Sequence, residues 1–219
     1  FLVERELTAI GDAMVDPKKP FIAIMGGAKL GTKIGAIRGM LKKVDKVLLG
    51  GAMIFTFYRA KGLEIGSSLY SEDDIPLAKE LMEVGKEKLI LPSDVVCAAE
   101  ADADSPSDVF NAEAIPADMK GLDIGPDTIN SYKALIKEAR TIVWNGPMGL
   151  YEIERFSVGT FEIVREIAAS EGMSVCGGGE TGEVIDRLGL ADKMTHVSTG
   201  GGASLELFEG KELVAIKAL

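Results

Sequence analysis

Two lysines follow a double glycine in the segment GGAKLGTK, where Lys29 and Lys33 stand behind Gly26 and Gly27. Glycine admits a bulky ligand to bare backbone, and a neighbouring ammonium group supplies charge for an anion. The i, i+4 spacing lets both lysines face one side of a helix start. A solvated lysine pair has the same spacing. Lys29, two residues past the glycines at a strand end, reads as a phosphate contact; for Lys33 alone the two readings stand level. Farther on, WNGPMGLYE places Asn145, Gly146, Pro147 and Gly149 just past an apolar run, with Glu152 beyond them. An amide and a carboxylate there suit a ribose or a phosphate, or equally a turn with a capping acid. GGGET sets Gly177, Gly178 and Gly179 before Glu180 and Thr181. An acid at a helix start is a simple dipole partner or, beside a bound phosphate, a ligand for Mg²⁺. STGGGASLE adds Gly200, Gly201 and Gly202, flanked by Ser198, Thr199 and Ser204.

These clusters share a context. Five apolar runs end in glycines: FIAIMGGAK, VLLGGAM, TIVWNGPMG, MSVCGGGETG and HVSTGGGAS. Each has the length of a buried parallel strand, and a stretch with helical spacing follows each. Open α/β sheets bind ligands outside the carboxyl ends of their strands, where the next helix offers free N–H groups to an anion. Five such turns on one sheet edge point to a phosphorylated ligand such as a nucleotide. The chain contains no Gly-x-x-x-x-Gly-Lys-Ser/Thr, so it is not a P-loop protein. Nor does Gly-x-Gly-x-x-Gly open its first helix after a strand, which counts against a dinucleotide-binding oxidoreductase.

The elements that must position these residues are legible from periodicity. FLVERELTAIGDAM has one apolar helical face over residues 1–14. A strand is expected at about 21–26, a helix at 31–43, a strand at 46–50 and a helix at 53–61. Residues 64–74 read as a polar loop and 75–88 as a helix. LILPSDVVCAA is a strand region bent at Pro92. The acidic, aperiodic stretch 99–121 reads as an excursion outside the sheet, with room for a small hairpin. DIGPDT follows as a phosphate-like turn before a helix at 127–139. Strands at 141–145, 173–176 and 195–198 then alternate with helices at 157–170, 181–188 and 202–209. The expectation is an α/β protein, a Rossmann-like three-layer sandwich with a mostly parallel sheet of about six strands. Right-handed crossovers put every glycine turn on one edge of it.

Composition bounds the partners. The 219 residues are 47% hydrophobic and carry a formal charge of -10. No lysine or arginine cluster exceeds short pairs, which argues against nucleic acid or an anionic membrane surface. A polyphosphate must therefore be met by local charge. Cys97 and Cys176 lie in apolar runs and read as reduced core residues of a cytoplasmic protein. With one histidine, His196, a multi-histidine metal site is excluded. No apolar run approaches a membrane span.

Taken together and in order, GGAK with a second lysine four residues on, EIGSSL, GLDIGP, WNGPMG, GGGET and HVSTGGGASLE resemble phosphoglycerate kinase, in its carboxyl-side, nucleotide-binding half. The resemblance runs along essentially the whole chain. It implies reversible phosphoryl transfer between 1,3-bisphosphoglycerate and ADP, giving 3-phosphoglycerate and MgATP in glycolysis. It implies that Lys29 and Lys33 contact phosphates, Lys33 reaching the transferring group. Gly27, Ala28, Gly51, Ala52, Phe55, Leu69, Gly121, Leu122 and Leu150 would line the adenine pocket, with Pro147 in the same turn. Glu152 would take the ribose hydroxyls and Asn145 a phosphate. The backbone at Gly178, Gly179, Gly201 and Gly202 would face the transferring phosphoryl, which makes Lys33, Gly179 and Gly202 the catalytic group. Glu180 and Thr181 match the acid and hydroxyl that serve Mg²⁺ and phosphate.

Two departures accompany the resemblance. The family usually has aspartate where this chain has Glu180. The family's amino-side half, which carries the basic patch for 3-phosphoglycerate and an arginine at the transferring group, has no counterpart here. Residues 1–15 resemble the helix joining the two halves, leaving 16–219 as the nucleotide-binding domain. The first residue is Phe1, in mid-helix, so the expectation is a piece of a longer enzyme: a monomer that binds ADP or ATP with Mg²⁺ and does not complete the transfer alone. The alternative is a stand-alone nucleotide-binding module without phosphotransfer.

Overall fold

The computed structural model describes residues 16–198 together with 200, 205, 208 and 209. In chain order the elements are β1 (Phe21–Met25), α1 (Ile34–Leu41), β2 (Lys46–Leu49), α2 (Ile54–Ala60), α3 (Ile75–Gly85), β3 (Leu89–Ile90), β4 (Asp94–Ala98), β5 (Ser107–Asn111), β6 (Lys120–Ile124), α4 (Pro126–Glu138), β7 (Thr141–Asn145), α5 (Val158–Ala169), β8 (Met173–Gly177), α6 (Gly179–Arg187) and β9 (His196–Ser198). Six strands form one sheet in the order β3-β2-β1-β7-β8-β9. Every pairing in that sheet is parallel. The first four glycine-terminated runs therefore end at the same edge, as expected, and β9, which opens the fifth, points the same way.

Both faces of this sheet are buried, which is why its strands are apolar throughout rather than alternating. Phe21, Ala23 and Met25 of β1, with Val47 and Leu49 of β2, pack toward α1, α2 and α3. Ile22 and Ile24, with Leu48, Ile142, Trp144 and Cys176, pack toward α4, α5 and α6. Period two in the strands thus divides the core into two layers around one sheet, a three-layer sandwich.

The sequence outline differs from the fold in instructive places. The strand region around Pro92 is two strands, β3 and β4, that belong to different sheets. Proline lacks the N–H that would continue β3's ladder, and the chain leaves the main sheet there. The acidic excursion contributes β5, and a further strand, β6 (Lys120–Ile124), stands where the end of that excursion and the start of the DIGPDT turn are expected. With β4 they form a three-stranded antiparallel sheet in the order β5-β4-β6. DIGPDT is not an open anion site. Asp94 already fills it: its Oδ2 accepts the Asp127 N–H at 3.0 Å and its Oδ1 the Thr128 N–H at 2.8 Å. A carboxylate at a helix N-terminus satisfies the donors a phosphate would seek. The expected helix at 31–43 begins only at Ile34, after a 3₁₀ turn at Leu30–Thr32. The helix expected at residues 1–14, and hence the 1–15 segment, lies outside the described residues.

Candidate functional site

The order 3-2-1-7-8-9 reverses direction between β1 and β7, and the carboxyl ends of those two strands flank the crevice where such sheets take ligands. Lys33 spans it. Its Nζ donates to Oδ1 of Asn145, the last residue of β7, while Asn145 Nδ2 donates to the Gly177 carbonyl at the end of β8 at 2.8 Å. One amide thus holds the lysine and braces the next strand. Lys33 is 9% exposed, and burial lowers its ammonium pKa to about 8, against an opposing pull from Glu180. A buried cation whose partner is a neutral amide is under-compensated, and an anion placed there would stabilise it. Lys29 is exposed, and the 3₁₀ turn separates it from Lys33, so the two do not share a helical face.

The glycine turns pack on one another. Gly26 N–H donates to Asn145 O at 2.9 Å, Gly27 N–H to Pro147 O at 2.8 Å, and Gly51 N–H to Met148 O at 2.7 Å. A Cβ at Gly51, whose φ is +67°, would collide with the Gly27 backbone. Close approach of three loops is therefore one cause of the glycine signal, independent of any ligand. Gly178, with φ +112°, faces the Asn145 amide, whereas Gly179 has open space where a Cβ would be. Gly179 begins α6 and Glu180 lies in its first turn. Thr181 is fully buried, and its Oγ1 accepts the Gly146 N–H at 2.8 Å, tying α6 to the turn after β7.

Beside this crevice lies a cavity of about 650 Å³, within the range of small-molecule sites. One wall comes from the first two glycine turns: Gly27, Ala28, Gly51 and Ala52, with Phe55 of α2. The turn after β7 gives Pro147, Leu150 and Glu152, and Glu180 closes one end. Leu69, Gly121 and Leu122 also line the cavity, with Gly121 against the Phe55 ring. Thirteen residues marked from sequence, Gly149 of the turn after β7 among them, thus meet in one cavity. Lys29, Lys33, Asn145, Gly178, Gly179 and Thr181 are not among its lining, and the last five of these sit at or beside the β1–β7 crevice. Gly201 and Gly202 lie outside the described residues.

Sequence reasoning missed several lining residues, among them Ser68, Lys120, Asp123 and Tyr151. Asp123 has a clear signature in retrospect, a carboxylate inside GLDIGP. Its Oδ2 accepts the Gly159 N–H at 2.7 Å and its Oδ1 the Ile124 N–H at 2.9 Å. Desolvation nevertheless dominates those two bonds and pushes its carboxyl up to about 8. Tyr151 is raised to about 12, first by burial and then by its hydrogen bond to Glu183. Among the described residues no group of three or more His, Cys, Asp or Glu is placed to hold a metal ion.

Comparison with known proteins agrees with this fold. The family model for phosphoglycerate kinase matches residues 1–211. The chain is 50% identical to a phosphoglycerate kinase of Chlorobaculum tepidum, over all of this chain and 57% of the relative. It is likewise 50% identical to the cytosolic phosphoglycerate kinase 3 of Arabidopsis thaliana, covering 56% of it. Phosphoglycerate kinase from Coxiella burnetii superposes with a TM-score of 0.94 at 42% identity, over 99% of this chain and 57% of that one. The chain spans little more than half the length of these relatives.

Proposed function

Since the chain belongs to the phosphoglycerate kinase family, we propose that it is the carboxyl-side, nucleotide-binding domain of such an enzyme, with residues 16–219 as its body. It binds ADP and ATP, acts as a monomer joined to an amino-side domain, and works in the cytoplasm. Among the described residues no helix is long and apolar enough to cross a membrane.

The observation that carries this reading is the pairing of an apolar cavity with a buried, under-compensated lysine next to it. The base takes the apolar end, between Phe55, Leu69, Gly121, Leu122 and Leu150. Glu152 accepts from the ribose hydroxyls. The phosphates run toward Lys33, Asn145 and the N–H groups at the start of α6, where Gly179 leaves room for them. Lys33 is mostly charged at neutral pH, and a phosphate beside it raises its pKa further. Phosphoryl transfer asks the protein mainly for positioning and charge, and these groups supply both on the nucleotide side. The carboxylate of 3-phosphoglycerate, as acyl phosphate or acceptor, comes from the amino-side domain.

Mg²⁺ fits here as a companion of the nucleotide. It binds through one or two carboxylates plus substrate phosphates rather than an all-protein cage, and the described residues offer no such cage. Glu180, exposed and lining the cavity, is the carboxylate that would hold it, directly or through water. The ion would neutralise phosphate charge.

Titration calorimetry tests the binding claim directly. The 219-residue chain should show saturable heat with ADP, in the presence and absence of Mg²⁺. Lys33→Met should weaken ADP and tripolyphosphate by roughly tenfold or more, the loss of a charged hydrogen bond, and spare adenosine. No heat with ADP at millimolar concentration would overturn the reading.

A further inference from the structure

We propose that Ser68 recognises the nucleobase: its hydroxyl donates to an acceptor nitrogen of the purine ring. The inference rests on the nucleotide reading above and adds the group that reads the base. Ser68 is 6% exposed and lines the cavity. Its segment is pinned to the small sheet's approach: Ser67 N–H donates to Met119 O at 2.8 Å and Ser68 N–H to Ile65 O at 3.1 Å. Its Oγ accepts the Gly121 N–H at 2.9 Å. Gly121 carries no side chain because the Phe55 ring occupies that place. Hydroxyl, glycine and ring thus form one wall.

A serine hydroxyl has one proton to donate and two lone pairs. The Gly121 N–H uses a lone pair, and among the described residues the Ser68 proton has no acceptor. The other polar side chains nearby are committed. Lys120 Nζ bonds Glu100 at 2.8 Å, Tyr70 OH bonds Glu72 at 3.0 Å, and Tyr151 OH bonds Glu183 at 3.2 Å. Both Asp123 oxygens accept backbone N–H groups. Ser67 is exposed, and water can satisfy it. Among the hydroxyl groups lining this cavity, Ser68 is therefore the buried one whose proton is left to a ligand. Ser68 shares this pocket with the apolar side chains of Phe55, Leu122 and Leu150, where a buried donor without a partner is costly, so a ligand with an acceptor at that point is selected over one without. Adenine carries such acceptors at N1, N3 and N7.

The test pairs substitution with atom removal. Calorimetry would compare ADP with its 1-deaza, 3-deaza and 7-deaza analogues, and tripolyphosphate as a base-free control, on the wild-type 219-residue chain and on Ser68→Ala, Ser68→Cys and Ser68→Thr. One deaza analogue should bind the wild type roughly three- to tenfold more weakly, the scale of one hydrogen bond. Ser68→Ala and Ser68→Cys should lose the same factor for ADP and nothing further for that analogue. Ser68→Thr, which keeps the hydroxyl, should bind near the wild-type level, and tripolyphosphate should be unaffected throughout. Should Ser68→Ala not fold, Ser68→Cys carries the comparison. Wild-type ADP affinity in both, or equal losses with tripolyphosphate, would overturn the assignment while leaving the nucleotide site intact. Absence of ADP binding to the wild type would remove both.

Discussion

At the scale of single residues, the site is a balance between one buried cation and one exposed acid. Lys33 and Glu180 influence each other electrostatically, yet the hydrogen-bond partner of Lys33 is the neutral Asn145. That leaves the Glu180 carboxylate available to a cation, and it leaves two readings with different consequences. If Glu180 serves Mg²⁺, Glu180→Gln should weaken MgADP binding several-fold and leave metal-free ADP binding nearly unchanged. If it serves only the dipole of α6, the substitution should cost about 0.3–1 kcal/mol of stability and leave the Mg²⁺ dependence as it was. Calorimetry with and without Mg²⁺, alongside thermal unfolding, separates the two. The glycine and lysine positions were legible in the sequence because their types are restricted. Ser68 and Asp123 were not, because a serine in EIGSSL or an acid in GLDIGP has many ordinary uses in a loop.

At the scale of elements, α5 ties together two stretches that line the cavity, β6 and the turn after β7. Thr160 Oγ1 accepts the Met148 N–H at 3.0 Å and the Gly149 N–H at 3.2 Å, holding the turn after β7. Asp123 holds β6 to the same helix start through Gly159. The cost is a buried carboxyl whose pKa stands at about 8 rather than 3.8. Between those values the folded chain keeps a proton that the unfolded chain releases, so rising pH favours unfolding. The stability this group contributes is fully present below 3.8 and is lost as pH climbs through about 8. Asp123→Asn removes the titration, although its NH2 cannot accept the backbone N–H that one Asp123 oxygen now takes, which lowers its stability by a pH-independent amount. Urea unfolding should therefore show the variant gaining on the wild type from about pH 5 to about pH 8, by up to about 1.4 kcal/mol per pH unit. Parallel pH profiles would mean that the carboxyl stays ionised.

At the scale of the whole molecule, nucleotide and phosphoryl acceptor make different demands. The contacts proposed for the nucleotide gather at the edge of one sheet, but the chain's formal charge is -10 and it carries no arginine cluster for a second anionic substrate. Purified alone, the chain should give no detectable ATP from 1,3-bisphosphoglycerate and ADP in a coupled assay, while still binding ADP. Supplying a relative's amino-side domain in trans should raise turnover if the nucleotide side is intact. Near-normal turnover by the chain alone, free of full-length enzyme, would refute this.

The α/β class, the six-strand parallel sheet and the gathering of the glycine turns at one edge follow from local pattern alone. Continuous apolar runs between amphipathic stretches have few other ways to be buried, and parallel connection fixes which ends meet. Tertiary structure decided what local pattern does not encode. It divided LILPSDVVCAA between two sheets, because pairing partners for β4 come from residues beyond Pro92 rather than before it. It closed the DIGPDT turn with Asp94, a residue more than thirty positions away. It buried Lys33 and exposed Lys29, although the two differ in sequence only by their place around a 3₁₀ turn. It also showed that several glycines are needed where loops touch, since a Cβ's collision depends on what the rest of the chain places opposite it.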